Sequence, residues 1–213
     1  TLVGQAALQY VKPDSIVGVG TGSTVDKFID ALAASGIPLK GAVSSSVRST
    51  ERMSKLGIRI LEASEVESLP VYIDGADEID HAGHMVKGGG AALTREKIVA
   101  DLAERFICIA DESKLVDTLG AFPLPIEVIP MATAQVARRL KARFGGEATL
   151  RAGCVTDNAA HILDVRGLAI KDPAGFEAEV SQWPGGITVG VFARNKAAVC
   201  LLGTAAGVKT LNF

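Results

Sequence analysis

Short apolar, β-prone runs that end in glycine, hydroxyl or acidic residues, each followed by a helical pattern, constrain this chain more than any other feature. Ser15 to Val19 is such a run. It passes into Gly20-Thr21-Gly22-Ser23-Thr24, and a helical pattern from Val25 to Ala34 follows, with Phe28, Ile29 and Leu32 in one stripe. Leu39 to Val43 passes into Ser44-Ser45-Ser46 and a helix from about Ser49 to Leu56, which Gly57 closes before a third strand, Ile58 to Leu61. Strands alternating with helices at this spacing predict a parallel, doubly wound, Rossmann-like α/β sheet. Ligands of such sheets bind at the carboxyl ends of the strands.

The first of these loops suits an anion. Backbone N–H groups, three hydroxyl residues and the start of a helix dipole converge on one spot. The P-loop pattern fails because no Gly-Lys-Ser/Thr ending is present, and the dinucleotide pattern fails because Ser23 stands where glycine is required. A small phosphate is the reading this leaves, beside that of a plain tight turn. The serine triplet divides evenly between a helix N-cap and a ligand contact.

The stretch from Val71 to Lys97, VYIDGADEIDHAGHMVKGGGAALTREK, is the richest in chemistry. A short strand, Val71 to Ile73, ends at Asp74, so Asp74 and Asp77 fall where a strand runs out into a loop. Gly88, Gly89 and Gly90 bring bare N–H groups toward a helix start, and Lys87 adds positive charge. Ala91 to Arg105 reads as a helix. Spacing its residues at 100° puts Glu96 amid Ala92, Leu93, Val99, Ala100, Ala103 and Ile107. A carboxylate there is desolvated, which raises its affinity for protons and suits it to acid–base work. The alternative is an acid paired with Lys87, Arg95 or Lys97. His81 and His84 flank a loop tip at Ala82-Gly83, a poor frame for a metal, and the acids from Asp74 to Asp80 do not follow the calcium-loop pattern.

Phe106 to Ala110 is a further buried strand, followed by Lys114 in a charged loop, a candidate phosphate or carboxylate partner for which the residues alone favour an ordinary surface lysine. Phe122-Pro123-Leu124-Pro125 marks a hinge. Beyond it come strand Ile126 to Ile129, helix Ala132 to Phe144, strands Ala148 to Arg151 and His161 to Val165, helix Gly175 to Ser181 and strand Ile187 to Val191. This βαββαβ order is ferredoxin-like. The expected division is therefore residues 1–122 plus 194–213 as a larger Rossmann-like domain and 123–193 as a smaller α+β domain, with Ala197 to Leu202 and the tail returning to the first sheet.

Composition excludes other classes. A net charge of −2 and a pI near 5.9 give no basic surface for nucleic acid, and no apolar run approaches the roughly 18 residues of a membrane span. Cys108, Cys154 and Cys200 stand far apart, without zinc spacing, and read as small buried hydrophobes. The opening TLVGQAALQYV lacks the basic region and apolar core of a signal peptide. The absence of an initiator Met points to further residues before Thr1.

Taken in order, the Gly20–Thr24 loop, Ser44-Ser45-Ser46, Asp74-Gly75-Ala76-Asp77-Glu78, Lys87-Gly88-Gly89-Gly90 with Ala91-Ala92-Leu93-Thr94-Arg95-Glu96-Lys97, and Lys114 resemble ribose-5-phosphate isomerase of the A type. The likeness extends through PLPIEVIP and GCVTDN over nearly the whole chain. It implies interconversion of ribose 5-phosphate and ribulose 5-phosphate, in the non-oxidative pentose phosphate pathway, through a cis-enediolate with no metal and no cofactor. Glu96 is implied as the general base, with Asp74, Asp77 and Lys87 as its catalytic partners. Thr21, Gly22, Ser23, Thr24, Gly75, Ala76, Gly88, Gly89, Gly90 and Lys114 are implied as substrate contacts. A cytoplasmic homo-oligomer, most simply a dimer, goes with the resemblance. A non-catalytic sugar-phosphate sensor would share the sheet and loop but would need no desolvated Glu96.

Overall fold

The computed structural model describes residues 2–213. In chain order the elements are α1 (Leu2–Ala7, continued by a 3-10 turn), β1 (Ser15–Val19), α2 (Ser23–Ser35), β2 (Leu39–Ser44), α3 (Val47–Lys55), β3 (Leu69–Asp74), β4 (Glu78–Ile79) and β5 (Met85–Val86). There follow α4 (Leu93–Leu102), β6 (Ala103–Asp111), β7 (Leu124–Val128), α5 (Thr133–Phe144), β8 (Glu147–Leu150), β9 (His161–Arg166), α6 (Pro173–Val180) and β10 (Gly186–Val189). The last are β11 (Val191–Phe192), β12 (Val199–Thr204) and β13 (Gly207–Asn212). Local chemistry sets the ends. Gly36, at φ 71°, closes α2 in the left-handed region that glycine enters freely, and the Ser46 hydroxyl accepts the Ser49 N–H to cap α3.

One compact unit comprises the described part of Thr1–Ala76 with Arg95–Lys114 and Ala197–Phe213. Its sheet runs in the order β13-β12-β6-β3-β1-β2. Every neighbouring pair is parallel except β12–β13, an antiparallel hairpin. From β1 the chain moves outward to β2, then returns past β1 to β3, so the winding reverses between β1 and β3. Ligands of doubly wound sheets collect at such a reversal. The central strands are apolar on both faces, with Val19, Ile73, Ile107, Ile109 and Leu201 fully buried. The stripe of α2, Val25, Phe28, Ile29 and Leu32, packs into the same core.

The other unit comprises Asp77–Thr94 and Leu115–Lys196. Its larger sheet, β10-β7-β9-β8, is antiparallel throughout, the strand order of the ferredoxin-like βαββαβ unit. The α5 residues Val136 and Leu140 and the α6 residues Phe176 and Val180 share its core with Trp183. A small second sheet joins β4, β5 and β11.

Some expectations are corrected. The smaller unit is not the segment 123–193, because Asp77–Thr94 belongs to it through the pairing of Val86 with Val191. The strand expected over Ile58 to Leu61 is reduced to a single bridge, Ala42 to Ile60. The helix expected over Ala91 to Arg105 is shorter. Ala91, at φ 61°, cannot begin a right-handed helix, while Ala103 and Arg105 pair with Leu69 and Val71 as part of β6. The last strand of the small unit breaks at Gly190, where a Cβ would lie 2.5 Å from the Lys87 carbonyl oxygen and 2.6 Å from that of Pro125. Cys154 is half-buried, unlike Cys108 and Cys200.

Ile107 lies fully buried at the centre of the larger sheet. Ile107→Ala is expected to cost about 2–5 kcal/mol through lost burial and the cavity left behind. Urea unfolding should show a lower midpoint at an unchanged slope. A loss below about 1 kcal/mol would contradict this packing.

Candidate active site

Parallel pairing of β1 with β3 sets Gly18 opposite Tyr72 and Val19 opposite Ile73, so the chain leaves β1 at Gly20 beside Asp74. The approach is close enough to dictate the residue. A Cβ on Gly20 would lie 1.9 Å from the Asp74 Cγ. The Gly20 N–H donates to the Ile73 carbonyl (2.9 Å), and the Thr21 N–H to Asp74 Oδ1 (3.1 Å). Gly22 then takes φ 124°, and α2 opens with Ser23 and Thr24. These two hydroxyl residues line a cavity of about 550 Å³ with Lys27, Asp111, Glu112 and Thr204.

Asp74 is fully buried yet well supplied with donors. Besides Thr21, the Gly75 N–H donates to Oδ1 (2.7 Å) and the Tyr72 hydroxyl to Oδ2 (2.5 Å). The serine triplet resolves into separate tasks. Ser46 caps α3, the Ser44 hydroxyl donates to the Ser46 carbonyl (2.9 Å), and the buried Ser45 hydroxyl lies 2.8 Å from that of Thr21. Tyr72 was not foreseen. The two-residue period of a strand puts it on the same side of β3 as Asp74, and that was the available signal.

Glu96 is only 3% exposed. Leu93, Val99 and Ala100 are buried on the same helix, whereas Ile98 is half exposed, so that part of the stripe expected around Glu96 is present, while Ala103 and Ile107 lie on β6 instead. Its charge reaches the Tyr72 phenol. Burial first, then the charges of Asp74 and Glu96, hold that phenol well above the ordinary 10.0. Lys114 ends the 3-10 turn after β6. After the Ser113 N–H and hydroxyl, its charge helps hold the Asp111 carboxyl below its usual value.

In the other unit, Asp77 Oδ2 accepts the Gly89 N–H at 2.8 Å, and a Cβ on Gly89 would lie 2.7 Å from the same carboxylate. Lys87 is 3% exposed, its Nζ 5.6 Å from the Phe192 ring centroid, and its N–H donates to the Gly190 carbonyl. Gly88, at φ 110°, starts a turn in which its carbonyl accepts the Ala91 N–H (2.9 Å). His81 and His84 turn to different carboxylates, Asp117 and Asp80, each at 2.9 Å. Two buried acids on this unit take partners that the sequence does not indicate. Glu78 accepts the Gly120 and Phe122 N–H groups. Glu127 accepts from the hydroxyls of Thr94 and Thr156 and from Asn158. Their donors lie tens of residues away in sequence, where no local pattern reaches.

The chain has close relatives. A family model described as ribose 5-phosphate isomerase A (phosphoriboisomerase A) matches residues 41–207. Over 212 residues the chain is 70% identical to a ribose-5-phosphate isomerase A of Leptothrix cholodnii, covering 100% of this chain and 96% of that one. The identity is also 70% over 213 residues to the protein of that name from Methylibium petroleiphilum, covering 100% and 97%. Among solved structures, ribose 5-phosphate isomerase A from Neisseria gonorrhoeae superposes with a TM-score of 0.97 at 45% identity, covering 99% of this chain and 94% of that one. A D-ribose-5-phosphate isomerase solved in complex with phospho-erythronic acid gives 0.95 at 37%, covering 100% and 96%. The class is thereby defined: the chain is an enzyme, an aldose–ketose isomerase. It belongs to the ribose 5-phosphate isomerase A family, and a sugar-phosphate substrate fits that family. No helix among the described residues is long and apolar enough to cross a membrane.

The Tyr72 phenol supplies a pH prediction. Because its folded value is raised, the stability it contributes is intact below the unfolded value of about 10 and falls as pH rises from there toward the folded value. Urea unfolding at about pH 8 and about pH 11 should therefore show a larger alkaline loss in the wild type than in Tyr72→Phe. Equal losses would contradict the shift.

Proposed function

We propose that this chain interconverts D-ribose 5-phosphate and D-ribulose 5-phosphate through a cis-enediolate, with Glu96 carrying the proton between C2 and C1. The observation that carries this reading is the burial of Glu96 among Leu93, Val99 and Ala100. Taking a proton from carbon next to a carbonyl requires a base whose hydration has been stripped away and whose position is fixed. A helix supplies the position and its apolar neighbours remove the water. The solved relative that holds phospho-erythronic acid supports the same chemistry. Such an acid bears a carboxylate at one end and a phosphate at the other, the two anionic ends of an enediolate phosphate.

The remaining roles follow from charge. Asp74 and Asp77 assist ring opening and proton movement between O1 and O2. Asp74 does so from a carboxylate that already holds the Thr21 and Gly75 N–H groups in place. Lys87 and the amides of Gly88 to Gly90 stabilise the oxyanion that develops as the enediolate forms. Thr21, Gly22, Ser23 and Thr24, at the dipole-positive start of α2, hold the phosphate with Lys114. Gly75 and Ala76 offer backbone to the sugar. Family membership also supports a homo-oligomer, most simply a dimer, working in the cytoplasm.

Glu96→Gln keeps the shape of the side chain and removes its basicity. Turnover of ribose 5-phosphate, assayed with a chelator present, should fall by roughly 100-fold or more while KM stays within a few-fold of wild type. Near-normal turnover in the variant would show that another group is the base. Wild-type activity should be unaffected by the chelator.

A further inference from the structure

Arg151, just beyond β8, is anchored at every level. Its N–H donates to the Ile162 carbonyl on β9 (2.8 Å), and its guanidinium grips Asp164 on the same strand, through Nε to Oδ2 (2.9 Å) and through Nη2 to Oδ1 (2.6 Å). A two-point grip of this kind fixes the plane of the guanidinium as well as its place. The remaining nitrogen, Nη1, donates to two successive carbonyls, Gly88 at 3.2 Å and Gly89 at 3.0 Å.

Those contacts decide where the glycine amides point. A trans peptide is planar, with its C=O and the following N–H on opposite sides, and there is no cis peptide among the described residues. With the Gly88 carbonyl turned to Arg151, the Gly89 N–H faces away, and there it meets Asp77 at 2.8 Å. With the Gly89 carbonyl turned to Arg151, the Gly90 N–H must also face away from the guanidinium. Gly90 is exposed, and its N–H donates to no acceptor among the described residues. The cation on the Gly89 carbonyl further polarises that peptide, which makes the Gly90 N–H a stronger donor.

We propose that Arg151 is a positioning residue for the isomerisation: it orients the Gly88–Gly89–Gly90 turn so that the Gly90 N–H is the amide presented to the developing oxyanion. The proposal rests on the reading of the glycine amides given above and narrows it. The Gly89 amide is committed to Asp77, while the Gly90 amide is aimed and open. Arg151 lies outside the loops in which the sequence concentrates its charges, 62 and 63 residues from the glycines it holds. Arg151 touches neither substrate nor reacting atoms in this scheme and acts only through the peptide it holds.

The test compares wild type, Arg151→Ala and Arg151→Lys. Turnover in both variants should fall roughly 10- to 100-fold, with KM for ribose 5-phosphate changed by less than about threefold. Millimolar guanidinium should restore part of the turnover in Arg151→Ala and none in Arg151→Lys, whose ammonium cannot form the planar grip. In protein labelled with 15N-glycine, the Gly90 amide resonance should move in Arg151→Ala and move back with guanidinium. Wild-type turnover with an unmoved Gly90 amide overturns the positioning role. A loss that guanidinium does not restore, accompanied by a matching fall in melting temperature, overturns it in favour of a purely structural role. A displaced Gly90 amide with wild-type turnover overturns the proposal by removing the oxyanion reading beneath it. Glu96→Gln in the same assay reports on the base alone, so failure of that assignment is seen separately.

Discussion

The carboxylate of Asp74 gathers the switch point of the larger sheet around itself. Charge buried this deeply is costly unless every lone pair is met, and Asp74 meets the cost with the Thr21 and Gly75 N–H groups and the Tyr72 hydroxyl. The neighbouring requirements follow from that one group. Gly20 must lack a side chain because the carboxylate occupies the space a Cβ would need. Thr21 is fixed from both sides, its N–H by Asp74 and its hydroxyl by Ser45. The loop that opens α2 is thus held by β3 rather than by its own turn geometry.

Each unit supplies a distinct kind of chemistry by itself. The larger one places an acid, Glu96, where water is excluded, and a hydroxyl-rich loop at a helix start. The smaller one places a buried lysine, an acid and a glycine turn held by an arginine. Proton abstraction, charge stabilisation and anion anchoring are separable physical demands, and the proposed function assigns them to separable local structures.

Much of this was legible in the sequence where the signal is local. Ser15–Val19 into Gly20–Thr24, and the βαββαβ run after Pro125, follow strand and helix periods that neighbouring residues reveal. Leu93, Val99 and Ala100 around Glu96 follow from helical geometry, whereas Ala103 and Ile107, placed on the same helix by that geometry, belong to β6. The misses share a cause. Two-residue strands such as β4 and β5 carry no period, so the membership of Asp77–Thr94 in the smaller unit is hidden until Val86 is seen pairing with Val191. Arg151 and Glu127 act on partners dozens of residues distant, and only the folded chain brings them to those partners. Tyr72 is the instructive exception, since the strand period that places Asp74 places it as well.

The placement of β12 bears on how the protein is made. In the sheet it lies between β6 and β13, and its register sets Cys200 beside Cys108, 92 residues earlier. While the chain is emerging from the ribosome, the inner edge of β6 therefore stays without its neighbour until the last strands of the chain have been synthesised. Pairing across so long an interval is slow to form and leaves an apolar edge open to strangers in the meantime. The β10-β7-β9-β8 sheet of the smaller unit is built from the contiguous stretch Leu124 to Val189 and faces no such delay, although the pairing of Val86 with Val191 also waits on a distant segment. Translation thus imposes an order in which the sheet that bears Asp74 is the last to close.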